Sequence, residues 1–251
     1  MIGISCPNFS LHPFDAILES VRKDFGLWEI VAELEHDLLS IEEDISYAIE
    51  SYGMKFNAHG PIADMNIGSP SERLRKSSME ELLRILDSCQ RLRIGCLTLH
   101  PGSAIAYGED VKSRVHDATR RSIEEIDDWI QGTDLRVALE NMPPASWSIC
   151  NDAEELLSII AGTKIGICFD IGHAHIAGST ESFLEDHVPL INLHLHNNHG
   201  VSDEHLPLDS GNIDIEYILD ALKRRYDGDY IIESRSLEEG LMSLEILREM
   251  L

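Results

Sequence analysis

The sequence predicts an α/β fold: a single closed (β/α)8 barrel of the TIM type, one domain over residues 1–251. Three observations predict it. Short apolar or β-branched runs alternate along the whole chain with longer stretches whose apolar residues recur every three or four positions. Counting them gives eight strand-then-helix units in 251 residues, the arithmetic of a closed barrel. No glycine-rich phosphate loop follows the first run, which continues Cys6-Pro7-Asn8-Phe9, so an open doubly wound sheet is the poorer match.

The eight strand-like runs are residues 2–5, 27–31, 54–58, 96–99, 136–139, 165–169, 191–195 and 230–232. Each is short and rich in Ile, Val, Leu or Phe, as a strand buried on both faces requires. Between the third and fourth runs, residues 80–92 place Leu82, Leu83, Ile85, Leu86 and Cys89 at helical spacing. Asp152 is placed to cap a helix over 153–160. Residues 215–225 repeat the pattern with Ile218, Leu219 and Leu222. No linker, low-complexity tract or charge block divides the chain.

Composition narrows the class of function. Apolar residues are 43 % and charged residues 26 %, ordinary for a globular chain. The formal charge of −25 is not ordinary. It disfavours a nucleic-acid partner, while leaving it open, because a phosphate backbone is bound by neutralising it. It is compatible with divalent cations. Cys6, Cys89, Cys96, Cys150 and Cys168 are odd in number and form no CxxC pair, which argues against a disulfide framework or zinc ribbon. The opening MIGISCPNFS lacks a signal-peptide pattern. No apolar run approaches the roughly 20 residues of a membrane span. The expectation is a cytoplasmic protein with no membrane contact; the oligomeric state stays open.

Strand residues alternate between two faces. In the seventh run Ile191, Leu193 and Leu195 oppose Asn192, His194 and His196. In the fourth, Leu97 and Leu99 oppose Cys96, Thr98 and His100; in the sixth, Ile165, Ile167 and Phe169 oppose Gly166, Cys168 and Asp170. In the fifth, Val137 and Leu139 oppose Ala138 and Glu140. One face is apolar and suits a helix layer. The other is small, then polar at the strand end, and suits a barrel interior. Cys96 and Cys168 then read as small interior filling.

Eight of the twelve histidines fall at or just beyond strand ends. The strand ends deliver His59, His100, Glu140, Asp170, His194 and Glu233 to one end of the barrel. His173 follows on the turn Asp170-Ile171-Gly172-His173, and Asp203 and His205 come from the loop after the seventh run. Four carboxylates packed closely repel and cannot all stay ionised without compensation. Divalent cations supply it, and a His/Asp/Glu donor set suits Zn, Mn, Fe or Co. Divalent ions, Mg included, are expected. His175, His196, Asn141 and Arg235 stand beside these positions as candidate substrate contacts.

At these residues the sequence resembles the xylose isomerase-like barrel superfamily, which includes sugar isomerases and epimerases and also endonuclease IV. The segments are Ala58-His59-Gly60-Pro61, His100-Pro101-Gly102-Ser103, Leu139-Glu140-Asn141, Phe169-Asp170-Ile171-Gly172-His173-Ala174, His194-Leu195-His196-Asn197, Asp203-Glu204-His205, Gly211-Asn212-Ile213 and Ile232-Glu233. For an isomerase or epimerase the resemblance implies one metal site, on Glu140, Asp170, His194 and Glu233. For endonuclease IV it implies three zinc ions, with His59, His100, His173, Asp203 and His205 as further ligands. His194-Leu195-His196-Asn197 departs from the His-Leu-Asn-Asp expected of that endonuclease.

Two functions follow as expectations. The first is a metal-dependent isomerase or epimerase of a sugar or sugar phosphate, with Glu140 and Glu233 moving the proton on either side of the substrate. The alternative is an endonuclease IV-like trinuclear zinc phosphoester hydrolase, acting on abasic DNA or a small phosphoester.

Overall fold

The computed structural model describes residues 1–103 and 109–251. Eight strands, β1 (Ile2–Ser5), β2 (Leu27–Val31), β3 (Lys55–His59), β4 (Cys96–Leu99), β5 (Arg136–Glu140), β6 (Gly166–Asp170), β7 (Leu190–Leu195) and β8 (Asp229–Glu233), form a closed barrel in chain order. Every pairing is parallel, and β1 closes on β8 with Ser5 opposite Glu233. The helices are α1 (Phe14–Val21), α2 (Glu42–Tyr52), α3 (Glu72–Leu92), α4 (Glu109–Ile130), α5 (Ala153–Ile160), α6 (Ile171–Ala177), α7 (Thr180–Phe183), α8 (Ile215–Leu222) and α9 (Leu237–Met250).

The ladder runs one residue further than hydrophobicity alone marks. His59 pairs with Val31, Asp170 with His194, and Glu140 with Cys168. Backbone pairing is indifferent to side-chain polarity, so the polar strand ends are as firmly registered as the apolar strand centres. The helix expected over 80–92 begins at Glu72. Its first turns look polar in sequence, yet Arg75 is buried there, bonded to Glu72, Ser122 and Glu125.

The face assignment holds with one correction. Ile191 was expected on the helix-facing side, but it packs on the interior cluster of Cys96, Ala138 and Cys168. A register shift between Ile167 and Cys168 opposite β7 turns it inward, over Gly166, where a Cβ would lie 2.7 Å from its side chain. Above this small-residue layer lies a buried polar one. Asn192 Nδ2 donates across the barrel to Glu29 Oε2 at 2.8 Å and to Thr98 Oγ1 at 2.9 Å. All five cysteines are buried, unpaired thiols. Among the described residues no helix is long and apolar enough to cross a membrane.

Candidate metal centre

The strand ends and the loop after β7 bring nine of the expected residues together. In the first group, His59 Nε2 and His100 Nε2 lie 3.1 and 3.3 Å from Glu140 Oε2. In the second, His194 Nδ1 is 3.3 Å from Glu140 Oε1, 3.2 Å from Glu233 Oε1 and 4.0 Å from Asp170 Oδ2. Glu140 therefore turns one oxygen to each group. In the third, His173 Nε2 and His205 Nε2 lie 3.1 and 3.0 Å from Asp203 Oδ2. His205 Nδ1, 3.6 Å from Glu233 Oε2, links the third group to the second.

Three features fit divalent ions. The far nitrogens of the buried His59, His173 and His194 each already face a partner. His59 Nδ1 sits 2.8 Å from the Gly60 carbonyl and His173 Nδ1 2.8 Å from the Asn141 carbonyl. His194 Nε2 lies 2.8 Å from Glu29 Oε1. Such partners fix the tautomer and aim the other nitrogen at an ion. Asp170 Oδ1 accepts from the His173 amide at 2.6 Å as the cap of α6, yet the buried Oδ2 has no partner. The donor set is mixed imidazole and carboxylate, which suits Zn and its neighbours more than Ca or Mg.

Without ions the cluster holds itself by protons. Burial would raise the Glu140 pKa, but His194 and His100 outweigh it and hold the carboxyl well below its ordinary range. Burial opposes charging His59, His173 and His205 as well, yet the carboxylates prevail. His59 rises to about 9 through Glu140, His173 to about 10 through Asp170 and Asp203, and His205 to about 9 through Asp203 and Glu233. Asp203 is lowered far in turn, against its burial, by His173 and His205. A cation arriving here displaces protons instead of entering a neutral cavity.

The four residues expected as substrate contacts part company. His196 is fully buried beside the third group, with Nε2 3.1 Å from Asp170 Oδ1 and 3.6 Å from Asp203 Oδ1. Its ring stacks on His205 at 4.1 Å and 10°. Imidazole lone pairs lie in the ring plane, so two stacked rings do not both aim at one ion. We therefore read His196 as a support: it donates to Asp170 and backs His205. Asn141 is buried too, but its side chain is spent on the Asp170 backbone, donating to its carbonyl at 2.9 Å and accepting from its amide at 2.8 Å. His175 stands apart, its Nε2 donating to Asn212 Oδ1 at 2.8 Å. Arg235 is half exposed and paired with Glu239.

Glu29 escaped the sequence reading. It is fully buried in β2, directly beneath His194. The signal was a single carboxylate inside the apolar run Leu27-Trp28-Glu29-Ile30-Val31, on the face opposite Trp28 and Ile30.

The mouth is set by exposure. His100, Asp203 and His205 keep 25, 31 and 22 % of their side chains accessible, whereas His59, Glu140, Asp170 and His194 keep 2 % or less. Solvent thus reaches the first and third groups through these three residues, with the second as floor.

Known proteins share this architecture. An uncharacterized protein of Methanocaldococcus jannaschii is 31 % identical over 261 residues, covering 99 % of this chain and 88 % of its own. A probable endonuclease 4 of Aquifex aeolicus is 25 % identical over 214 residues, 76 % of this chain and 74 % of that one. The crystal structure of a D-tagatose 3-epimerase-like protein superposes with a TM-score of 0.90 at 28 % identity, over 99 % of this chain and 96 % of the other. The model of the xylose isomerase-like TIM barrel matches residues 21–250, and the chain belongs to that family.

Proposed function

We propose that the protein is a metal-dependent phosphoester hydrolase with up to three divalent ions, zinc first among them. The observation that supports this is the shared Glu140. It joins a His59/His100 group to an Asp170/His194/Glu233 group, and a third group of His173, Asp203 and His205 stands beside them. A single-ion isomerase needs only the second.

When bound, the ions supply Lewis-acid polarisation of a phosphoryl oxygen and an acidified water. The chain's own residues do the rest. Glu140 and Glu233 fix the spacing within the centre. His194, held by Glu29, orients the floor. His100, Asp203 and His205 line the way in and would meet a phosphoryl group first. In the hydrolysis, water adds its oxygen to phosphorus, the phosphorus–oxygen bond to the alcohol breaks, and the alcohol leaves with the proton.

Sugar epimerisation is the second reading. It is favoured by the likeness to the D-tagatose 3-epimerase-like protein and by Glu140 and Glu233, which flank His194 as a proton-moving pair would. Elemental analysis of protein purified without chelator, with assays on phosphodiesters and ketoses, separates the two. About three ions and phosphoester cleavage are expected. One ion with ketose turnover and no phosphoester cleavage refutes the hydrolase.

A further inference from the structure

The three groups differ in how their donors are held. Glu140, Asp170, His194 and Glu233 are buried strand residues, fixed by the ladders of β5 to β8. His59 ends β3, and His100 directly follows β4. In the third group only His173 comes from a regular element, α6. Asp203 and His205 lie in the segment that runs from the end of β7 at Leu195 to the start of α8 at Ile215.

That segment is pinned at its base. Asn197 and Leu206 exchange two backbone hydrogen bonds, each of 2.9 Å. Beside them Asn198 Nδ2 donates to the Gly172 carbonyl at 3.0 Å, and Asn212 N donates to the Asn198 carbonyl at 3.0 Å. Residues 199–205 project beyond this neck. They are tied largely to themselves: His199 N and His199 Nδ1 both meet Glu204 Oε2, at 2.9 and 3.0 Å. Val201 and Ser202 are exposed. Among the described residues, the tip meets barrel side chains through Asp203, 3.1 Å from His173 Nε2, and through His205, whose ring stacks on His196. His205 has a φ of 47°. That left-handed backbone costs energy in a residue with a Cβ, and here it keeps the ring on the centre.

We propose that the third group is the labile part of the centre. Its ion binds last and leaves first, and by joining Asp203 and His205 to His173 it clamps residues 199–205 over the other two groups. The proposal rests on the reading of the centre as one for up to three divalent ions, and it deepens that reading by naming what regulates the ion count. Two physical terms set the order. Strand donors are ordered before an ion arrives, whereas loop donors must lose conformational freedom to bind it. Release from the third group needs only a local opening of a short projection, while release from the floor needs the sheet itself to open.

The test starts from protein loaded with zinc alone, its ion content measured by elemental analysis, and challenged with a chromophoric chelator. One ion should leave at least about tenfold faster than the other two, as expected when only local opening is required. Hydrogen exchange read by mass spectrometry should then quicken in residues 199–205 and stay unchanged in β5 to β8. Asp203→Asn should bind two ions and lack the fast phase. So should His205→Gly, which removes a donor while suiting the left-handed backbone. Release of all three ions at one rate, a fast phase that persists in either variant, or exchange in 199–205 that ignores the first ion lost overturns the clamp. The hydrolase reading survives those results if phosphoesters are still cleaved. Wild-type protein that never takes up a third ion also overturns the clamp, and protein that takes up a single ion overturns the hydrolase with it.

Discussion

Single side chains shape the candidate centre. Glu29 touches no substrate, yet it holds His194 by Nε2 and leaves Nδ1 facing Glu140 and Glu233. Glu29→Gln should weaken metal binding at that group by roughly 10–100-fold, the usual effect of losing such a partner, as read by competition with a chromophoric chelator. An unchanged affinity would show that the carboxylate is only filling. Gly172 is equally constrained. A Cβ there would fall 2.0 Å from His196 Cε1. Gly172→Ala should cost about 1–3 kcal/mol in urea unfolding, and adding His196→Ala should recover part of the loss. No recovery would mean that the ring is not what Gly172 accommodates.

At the scale of elements, local chemistry sets where helices start and the barrel sets where strands end. Asp152 caps α5 as its sequence position implied, with Oδ1 accepting from Glu155 N at 2.9 Å. Glu155 reaches back past the cap to the amides of Cys150 and Asn151, tying the preceding turn to the helix. Asp152→Ala should cost about 1 kcal/mol in chemical denaturation; a loss below a few tenths would show that α5 is held by packing alone. The β6–β7 irregularity was not legible in the same way. Perfect alternation put Ile191 outside; it is the extra residue of β7 where Ile167 pairs with Leu190 and Cys168 with Asn192, and it lies inside. A bulge depends on the register of a partner strand, which a local pattern does not contain.

Across the whole molecule the charge balance of the candidate centre should couple metal, protons and stability. His59, His173 and His205 have pKa values of about 9, 10 and 9 in the metal-free protein, against an ordinary 6.5. A raised histidine adds stability that is complete below its unfolded value and is lost as pH climbs through its folded one. Metal-free protein should therefore lose stability between about pH 6.5 and 10 on this account. Thermal melts across that window, with chelator present, check the direction. Loading with zinc at neutral pH should release protons, because bound imidazole must give up its own. Calorimetry in two buffers of different ionisation enthalpy reads the number released. A heat that does not depend on the buffer would mean these histidines are neutral or are not ligands. Zinc-loaded protein should also melt higher than metal-free protein, by mass action on the native state.

Much was legible in the chain before it was folded. Eight alternating periods imply a barrel, because strands buried on both faces need helices between them and about 250 residues close the ring. Parallel strands of one barrel share a direction, so polar residues at their ends must meet at one rim. That alone brought His59, His100, Glu140, Asp170, His194 and Glu233 together. What the linear pattern lacks is distance across the barrel. It could not show that Glu140 faces two groups at once, that Glu29 from β2 lies under His194 from β7, or that His196 stacks on His205 while His175 turns away to Asn212. Nor could it tell that Arg235 is neutralised by Glu239 and Asn141 committed to the Asp170 backbone. Those facts depend on which side chains closure and loop packing bring within a few ångströms, and only the tertiary structure decides them, because the residues that meet there lie far apart in the chain.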